Sequence, residues 1–197
     1  MFFTPRNAGN LPEPYAVVGT IGGSFNQDFS QRFGQHNTQA GNRGEQLLAH
    51  KLRNPRNGWL PADVMLFCSL LTPGVSYKSD IDFAIVSGDR ILLIDAKMFR
   101  QKGGFFWNLG MKKDKFYSGL SRYKTSQGKP VKLSSSMALA RDKISKAMPS
   151  YVVESIVVCV TDESNPNARQ PNTRWFTYPG GVKVFNERQA RRYIRKF

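Results

Sequence analysis

SDIDFAIVSGDRILLIDAK, residues 79–97, sets four ionisable side chains (Asp80, Asp82, Asp95 and Lys97) into what otherwise reads as a buried β-hairpin. Gly88-Asp89 is a two-residue connection of the kind that joins antiparallel strands. With the turn there, Ser87 pairs with Arg90, which sets Asp82 opposite Asp95 and Asp80 opposite Lys97. A four-residue loop from Ser87 to Arg90 gives the same register. Strand side chains alternate, so all four groups are expected on one face with Ala84, Val86, Ile91 and Leu93. Ile81, Phe83, Ile85, Leu92 and Ile94 are expected on the other.

Directly opposed side chains have Cβ atoms about 4.5–5.5 Å apart, and like charges so placed repel. Two carboxylates at the margin of an apolar face need a cation or a shared proton. The hairpin therefore has two readings. In one, Asp82 and Asp95 hold a hard divalent ion through carboxylate oxygens. In the other, the charges form a salt-bridged cluster at a sheet end, with Asp80 on Lys97 and Asp82 near a basic loop.

The surrounding pattern supplies a domain for the hairpin. Residues 1–40 show no sustained period and read as an arm, with Phe25, Phe29 and Phe33 spaced for a short helix. From Gly41, GNRGEQLLAHKL reads as a helix whose inward stripe carries Leu48, Leu52 and, three residues earlier, Glu45. DVMLFCSLL (63–71) reads as a strand. Ser135 or Ser136 is placed to cap a helix through MALARDKISKAM. YVVESIVVCVT (151–161) reads as a central strand, followed by short strands around Pro179-Gly180-Gly181 and a last helix capped by Asn186. The expected architecture is an α/β domain over 41–197, a central mixed sheet flanked by helices.

The chain has 197 residues, 40% of them apolar, enough for one domain with a full core. Its 29 Lys and Arg against 14 Asp and Glu give a net charge of +15, which favours nucleic acid or another polyanion as partner. Cys68 and Cys159 lie in apolar runs and read as buried thiols. No stretch has the length of a membrane-spanning helix and no apolar leader opens the chain. No membrane partner is expected, and the expected location is cytoplasmic.

Asp82 followed by Asp95-Ala96-Lys97 on the next strand resembles the D…(D/E)-x-K core of the PD-(D/E)XK nuclease superfamily. AGNRGEQLL resembles the opening Gly-Glu helix of its NERD branch, the nuclease-related domain, and the order of elements over about residues 41 to 195 fits the same restriction-endonuclease-like plan. Three positions depart from that branch. Asp95 stands where Glu is more usual, Phe83 follows Asp82 where His is more usual, and PVKLSSSMA lacks a Gln often found there.

The resemblance implies a nuclease that hydrolyses phosphodiester bonds. Asp82 and Asp95 would bind Mg²⁺ or Mn²⁺, with the Ala96 carbonyl completing the site and Glu45 contributing from the helix. Lys97 would orient or deprotonate the attacking water, and Asp80 would support Lys97. A basic, aromatic stretch would contact DNA through Arg100, Lys102, Lys112, Lys113, Lys115, Arg122 and Lys124, and the last helix through Arg188 and Arg192. RNA stays open as a partner, as does a homo-oligomer. The alternatives are a non-catalytic nucleic-acid-binding module on the same fold, or a basic structural or interaction protein.

Overall fold

A computed structural model of the chain describes residues 16–20, 35–54, 57–71, 80–99, 115–116, 131–132, 134–162, 164, 170, 173 and 177–197. The side chains of residues 16, 35–40, 80, 99, 115–116 and 131–132 lie outside that description, as do Phe25, Phe29 and Phe33.

The hairpin forms as its pattern requires. β3 (Asp80–Ser87) and β4 (Arg90–Phe99) meet at Gly88-Asp89, and Ser87 pairs with Arg90 and Phe83 with Ile94. Gly88 has φ +56° while Asp89 stays out of the left-handed region, the pattern of a hairpin turn needing positive φ only at its first central position. β4 is then covered on its other edge by β7 (Val152–Thr161), parallel to it over ten residue pairs. This confirms the apolar run of 151–161 as central.

The sheet is completed outward on both sides. β2 (Met65–Leu71) runs antiparallel to β3, and β1 (Ala16–Val18) parallel to β2. Beyond β7 come β9 (Val182–Asn186), parallel to it, and the edge strand β8 (Thr177–Tyr178). The order is β1-β2-β3-β4-β7-β9-β8, a mixed seven-stranded sheet. A separate two-stranded ladder joins β5 (Lys115–Phe116) to β6 (Val131–Lys132).

Three helices among the described residues cover both faces. α1 (Gln35–Arg53) buries Leu48, Ala49 and Leu52 against Phe83, Ile85, Leu92, Ile94 and Ala96. It begins six residues before the predicted Gly41, so the boundary drawn at residue 40 falls inside it. β1, within the expected arm, joins the sheet. Gly44 lets α1 approach β4 closely, because a Cβ there would lie 3.0 Å from the Met98 Cβ. α3 (Glu187–Ile194) shares this face through Ala190 and Ile194. α2 (Ser136–Ala147) packs Met137, Ala138, Ala140 and Ile144 on the other face against Leu93, Val157 and Cys159.

The predicted Asn186 cap is a full capping box: Asn186 accepts from the Gln189 N–H, and the Gln189 side chain accepts in return. At α2 the capping expectation needs correction, since Ser135 makes no side-chain cap and the Ser134 hydroxyl accepts from the Ser136 N–H instead. The free thiols Cys68 and Cys159 are buried as expected. No helix among the described residues is long and apolar enough to cross a membrane.

At the turn end of the sheet Arg90 donates to Glu154 at 2.6 Å and its guanidinium lies 4.2 Å from the centre of the Phe197 ring. Tyr193 of α3 donates to the other Glu154 oxygen. Burial raises the Glu154 pKa, but the bonds from Tyr193 and Arg90 outweigh it and leave it below the ordinary value. A depressed carboxyl adds stability that is complete above its unfolded pKa, near 4.5, and is lost as pH falls from there through the folded value. Glu154→Gln is therefore expected to lower the urea midpoint by the equivalent of about 1 kcal/mol at neutral pH. That difference should shrink below about pH 4.5.

Candidate active site

The β3–β4 ladder ends at Phe83–Ile94, while β4 continues beside β7 as far as Phe99–Thr161. Past Ile94 the edge of β4 facing β3 has no backbone ladder, and the sheet forks. Ala96 N–H, which would otherwise be stranded in the middle of the sheet, donates to Asp82 Oδ2 at 2.6 Å. The carboxylate takes the place of a ladder carbonyl, and Asp82 is 9% exposed.

Across β3 the same point is marked by Ser69. β2 pairs Cys68 with Phe83 and Leu70 with Ile81, but Ser69, which would face Asp82, is absent from the ladder and has φ +53°. Its hydroxyl donates to the Thr20 carbonyl at 2.8 Å. Ile81 lies in the core on the α2 face and Phe83 in the core on the α1 face. Strict alternation thus breaks at Asp82, which corrects the expectation that Ile81 and Phe83 share a face.

Lys97 Nζ donates to Asp95 Oδ1 at 2.8 Å. These two residues flank Ala96, and alternation puts them with Leu93 on the α2 face. This bond runs along one strand, and the expected pairing of Lys97 with Asp80 across the hairpin falls on a side chain that is not described. The Asp80 side chain lies outside the described residues. Burial works against the Lys97 charge, but Asp95 and Asp82 outweigh it and hold the ammonium above its ordinary pKa. The lysine side chain is 45% exposed, so solvent screens part of that attraction.

Glu45 is 3% exposed on α1, and so reaches the sheet from the face opposite Asp95 and Lys97. Its charge acts on the Cys68 thiol, the strand neighbour of Phe83, which burial chiefly pushes up to about 11. Among the described residues no three His, Cys, Asp or Glu side chains gather as a metal-binding group. Asp82 and Asp95 are engaged by Ala96 N–H and Lys97. Carboxylate oxygens and a backbone carbonyl are nevertheless the donor chemistry of a hard divalent ion, so the residue types fit Mg²⁺ or Mn²⁺.

Two residues at the site escaped sequence reasoning. Tyr178 on β8 lies near enough for its hydroxyl to feel Lys97 and Asp95, and burial raises its pKa. Nothing in RWFTY marks a tyrosine three strands away as a neighbour of Lys97. Ser69 left only a polar residue within an apolar run. Of the predicted nucleic-acid contacts, Arg188 and Arg192 are exposed on α3. Two further arginines, Arg191 on α3 and Arg195 just after it, donate to Asn57 and to the Gly58 carbonyl. Arg100, Lys102, Lys112, Lys113, Arg122, Lys124 and the Lys115 side chain lie outside the described residues.

The family model described as NERD, the nuclease-related domain, matches residues 40–160. No curated protein and no solved structure matches the chain.

The Asp82–Ala96 bond makes a stability prediction independent of activity. Asp82→Ala leaves a buried N–H without an acceptor and is expected to destabilise by about 1–3 kcal/mol in urea denaturation. Asp82→Asn keeps an acceptor oxygen and should lose less than half as much.

Proposed function

Because the chain belongs to the family of the nuclease-related domain, we propose that it is a Mg²⁺- or Mn²⁺-dependent nuclease hydrolysing phosphodiester bonds of DNA at the β3–β4 fork. The observation that carries this reading is the Asp82 carboxylate seated on Ala96 N–H, beside the Asp95–Lys97 pair. One acid from β3 and an acid-x-Lys step on β4 are fixed by the hairpin's own backbone.

Asp82, Asp95 and Glu45 are the residues that would hold the divalent ion. In a strand the N–H and C=O of one residue point to the same side. The Ala96 carbonyl therefore faces the fork with its N–H, as a fourth oxygen donor. The ion, when bound, supplies Lewis acidity that offsets charge developing on the scissile phosphate. Lys97 donates hydrogen bonds to the attacking water and to a phosphate oxygen. Asp80 is a supporting carboxylate at the entrance to β3. Arg100, Lys102, Lys112, Lys113, Lys115, Arg122 and Lys124, with Arg188 and Arg192, supply phosphate contacts whose total makes binding salt-dependent.

Incubating the protein with linear and circular DNA, with and without Mg²⁺ or Mn²⁺, tests this reading. The wild type should cleave only with the ion. Asp95→Ala and Lys97→Ala should each slow cleavage by about 100-fold or more, the scale for losing one charge-stabilising group. Undiminished cleavage by both variants would refute the catalytic assignment. Salt-dependent DNA binding without any cleavage would select the non-catalytic module.

A further inference from the structure

On the α1–α3 face, away from the Asp95–Lys97 face, a cleft of about 570 Å³ opens between the two helices. That is the size range of small-ligand sites. Four basic Lys and Arg side chains line it, Arg43 and Lys51 from α1 and Arg188 and Arg191 from α3, with Trp59 also in its wall. Two carboxylates, Asp162 and Glu187, share the cleft with them.

Both acids are fully used. Glu187 Oε1 accepts from the Thr161 N–H at 2.8 Å and hydroxyl at 3.0 Å, and Oε2 takes Lys51 at 2.9 Å. Asp162 Oδ1 accepts from the Ser164 N–H and hydroxyl, and Oδ2 faces Arg43 at 3.5 Å. These contacts cancel one cation from α1 against each acid and leave the α3 pair in surplus. Arg191 is held by a neutral partner, the Asn57 amide oxygen, and no carboxylate among the described residues pairs with it. Arg188 is exposed and makes no hydrogen bond or ion pair with the described residues.

Two guanidinium groups at successive turns, one braced and one open, suit a ligand with several acceptor oxygens around one centre. The location narrows the ligand further. Glu187 holds the end of β7 at Thr161, which pairs with Phe99 only two residues beyond Lys97. The cleft and the fork therefore open at the same end of the sheet, from opposite faces.

We propose that this cleft is a phosphate-binding pocket, gripped by Arg188 and Arg191, for a nucleic-acid strand or a free nucleotide. It rests on the nucleic-acid part of the proposed function for the class of ligand, and not on catalysis. Its test uses the full chain without divalent ions. Binding of a fluorescent DNA hexanucleotide is followed by anisotropy across a salt series, and binding of a deoxynucleoside 5′-monophosphate by calorimetry. Three variants are compared with wild type: Arg188→Ala, Arg188→Lys, and Lys146→Ala, which removes the same charge from an exposed position on α2.

Arg188→Ala is expected to weaken hexanucleotide binding about tenfold and to lower the salt slope by about one. Arg188→Lys should keep the slope while losing part of the affinity, and Lys146→Ala should stay within about twofold of wild type. A monophosphate that binds wild type but not Arg188→Ala assigns the pocket to a free nucleotide. Monophosphate binding absent throughout, with the hexanucleotide sensitive to Arg188, assigns it to a strand phosphate. Equal losses in Arg188→Ala and Lys146→Ala, or no loss in Arg188→Ala, would overturn the pocket and leave diffuse attraction. Arg188 bonds to nothing described, so thermal melting should be unchanged. No outcome involves cleavage, so failure of the pocket and failure of the catalytic reading stay distinguishable.

Discussion

The hydrogen bond from Ala96 N–H to the Asp82 carboxylate, at 2.6 Å, is the constraint around which the rest of the sheet is arranged. β4 is the middle strand of the seven and is bonded along its whole length to β7. β3 follows it only as far as Ile94. Parting two strands inside a sheet exposes backbone groups that water reaches poorly, and such groups are rarely left unsatisfied. Here a side-chain acid fills the gap. That explains why an aspartate is tolerated at 9% exposure in an otherwise apolar hairpin. It also fixes the carboxylate with the precision of backbone rather than of a surface rotamer.

The fork interrupts the sheet that parts the two faces of the domain. A continuous sheet would separate Glu45, which α1 brings from one side, from Asp95 and Lys97 on the other. Ser69 contributes by leaving the ladder beside Asp82 with a left-handed backbone, a conformation that costs a non-glycine residue about 1–2 kcal/mol. The kink changes which face Ile81 occupies. On the α2 face, Tyr178 and Cys159 give Lys97 and Asp95 a partly buried setting, and burial raises the pKa of both the phenol and the thiol.

Much of this was legible in residues 79–97. A two-residue turn leaves little freedom, so Gly88-Asp89 determined the register as far as Phe83–Ile94. The continuous apolar run of 151–161 marked β7 as central for the same reason that buried strands lose their alternation. The reading failed where the chain departs from ideal strands. Alternation counted through Asp82 gave the wrong face for Ile81, because a positive φ at Ser69 on a neighbouring strand is invisible in a hydropathy pattern. The Asp95 partner of Lys97 lies along the same strand, a bond that a count of pairs across the hairpin does not reveal. Three residues of β1 are too few to show a period, and Arg191 and Arg195 look like their exposed neighbours until Asn57 and Gly58 are brought beside them.

The central claim is that the fork is built to take a divalent ion between its acids. The most direct measurement is the anomalous difference map of a crystal grown with Mn²⁺. The account predicts a peak within oxygen-ligand distance, about 2.0–2.2 Å, of both Asp82 and Asp95 carboxylates and the Ala96 carbonyl, with Lys97 displaced from Asp95 Oδ1. A map with no peak there, and the Lys97–Asp95 and Asp82–Ala96 bonds both intact at saturating Mn²⁺, would contradict it.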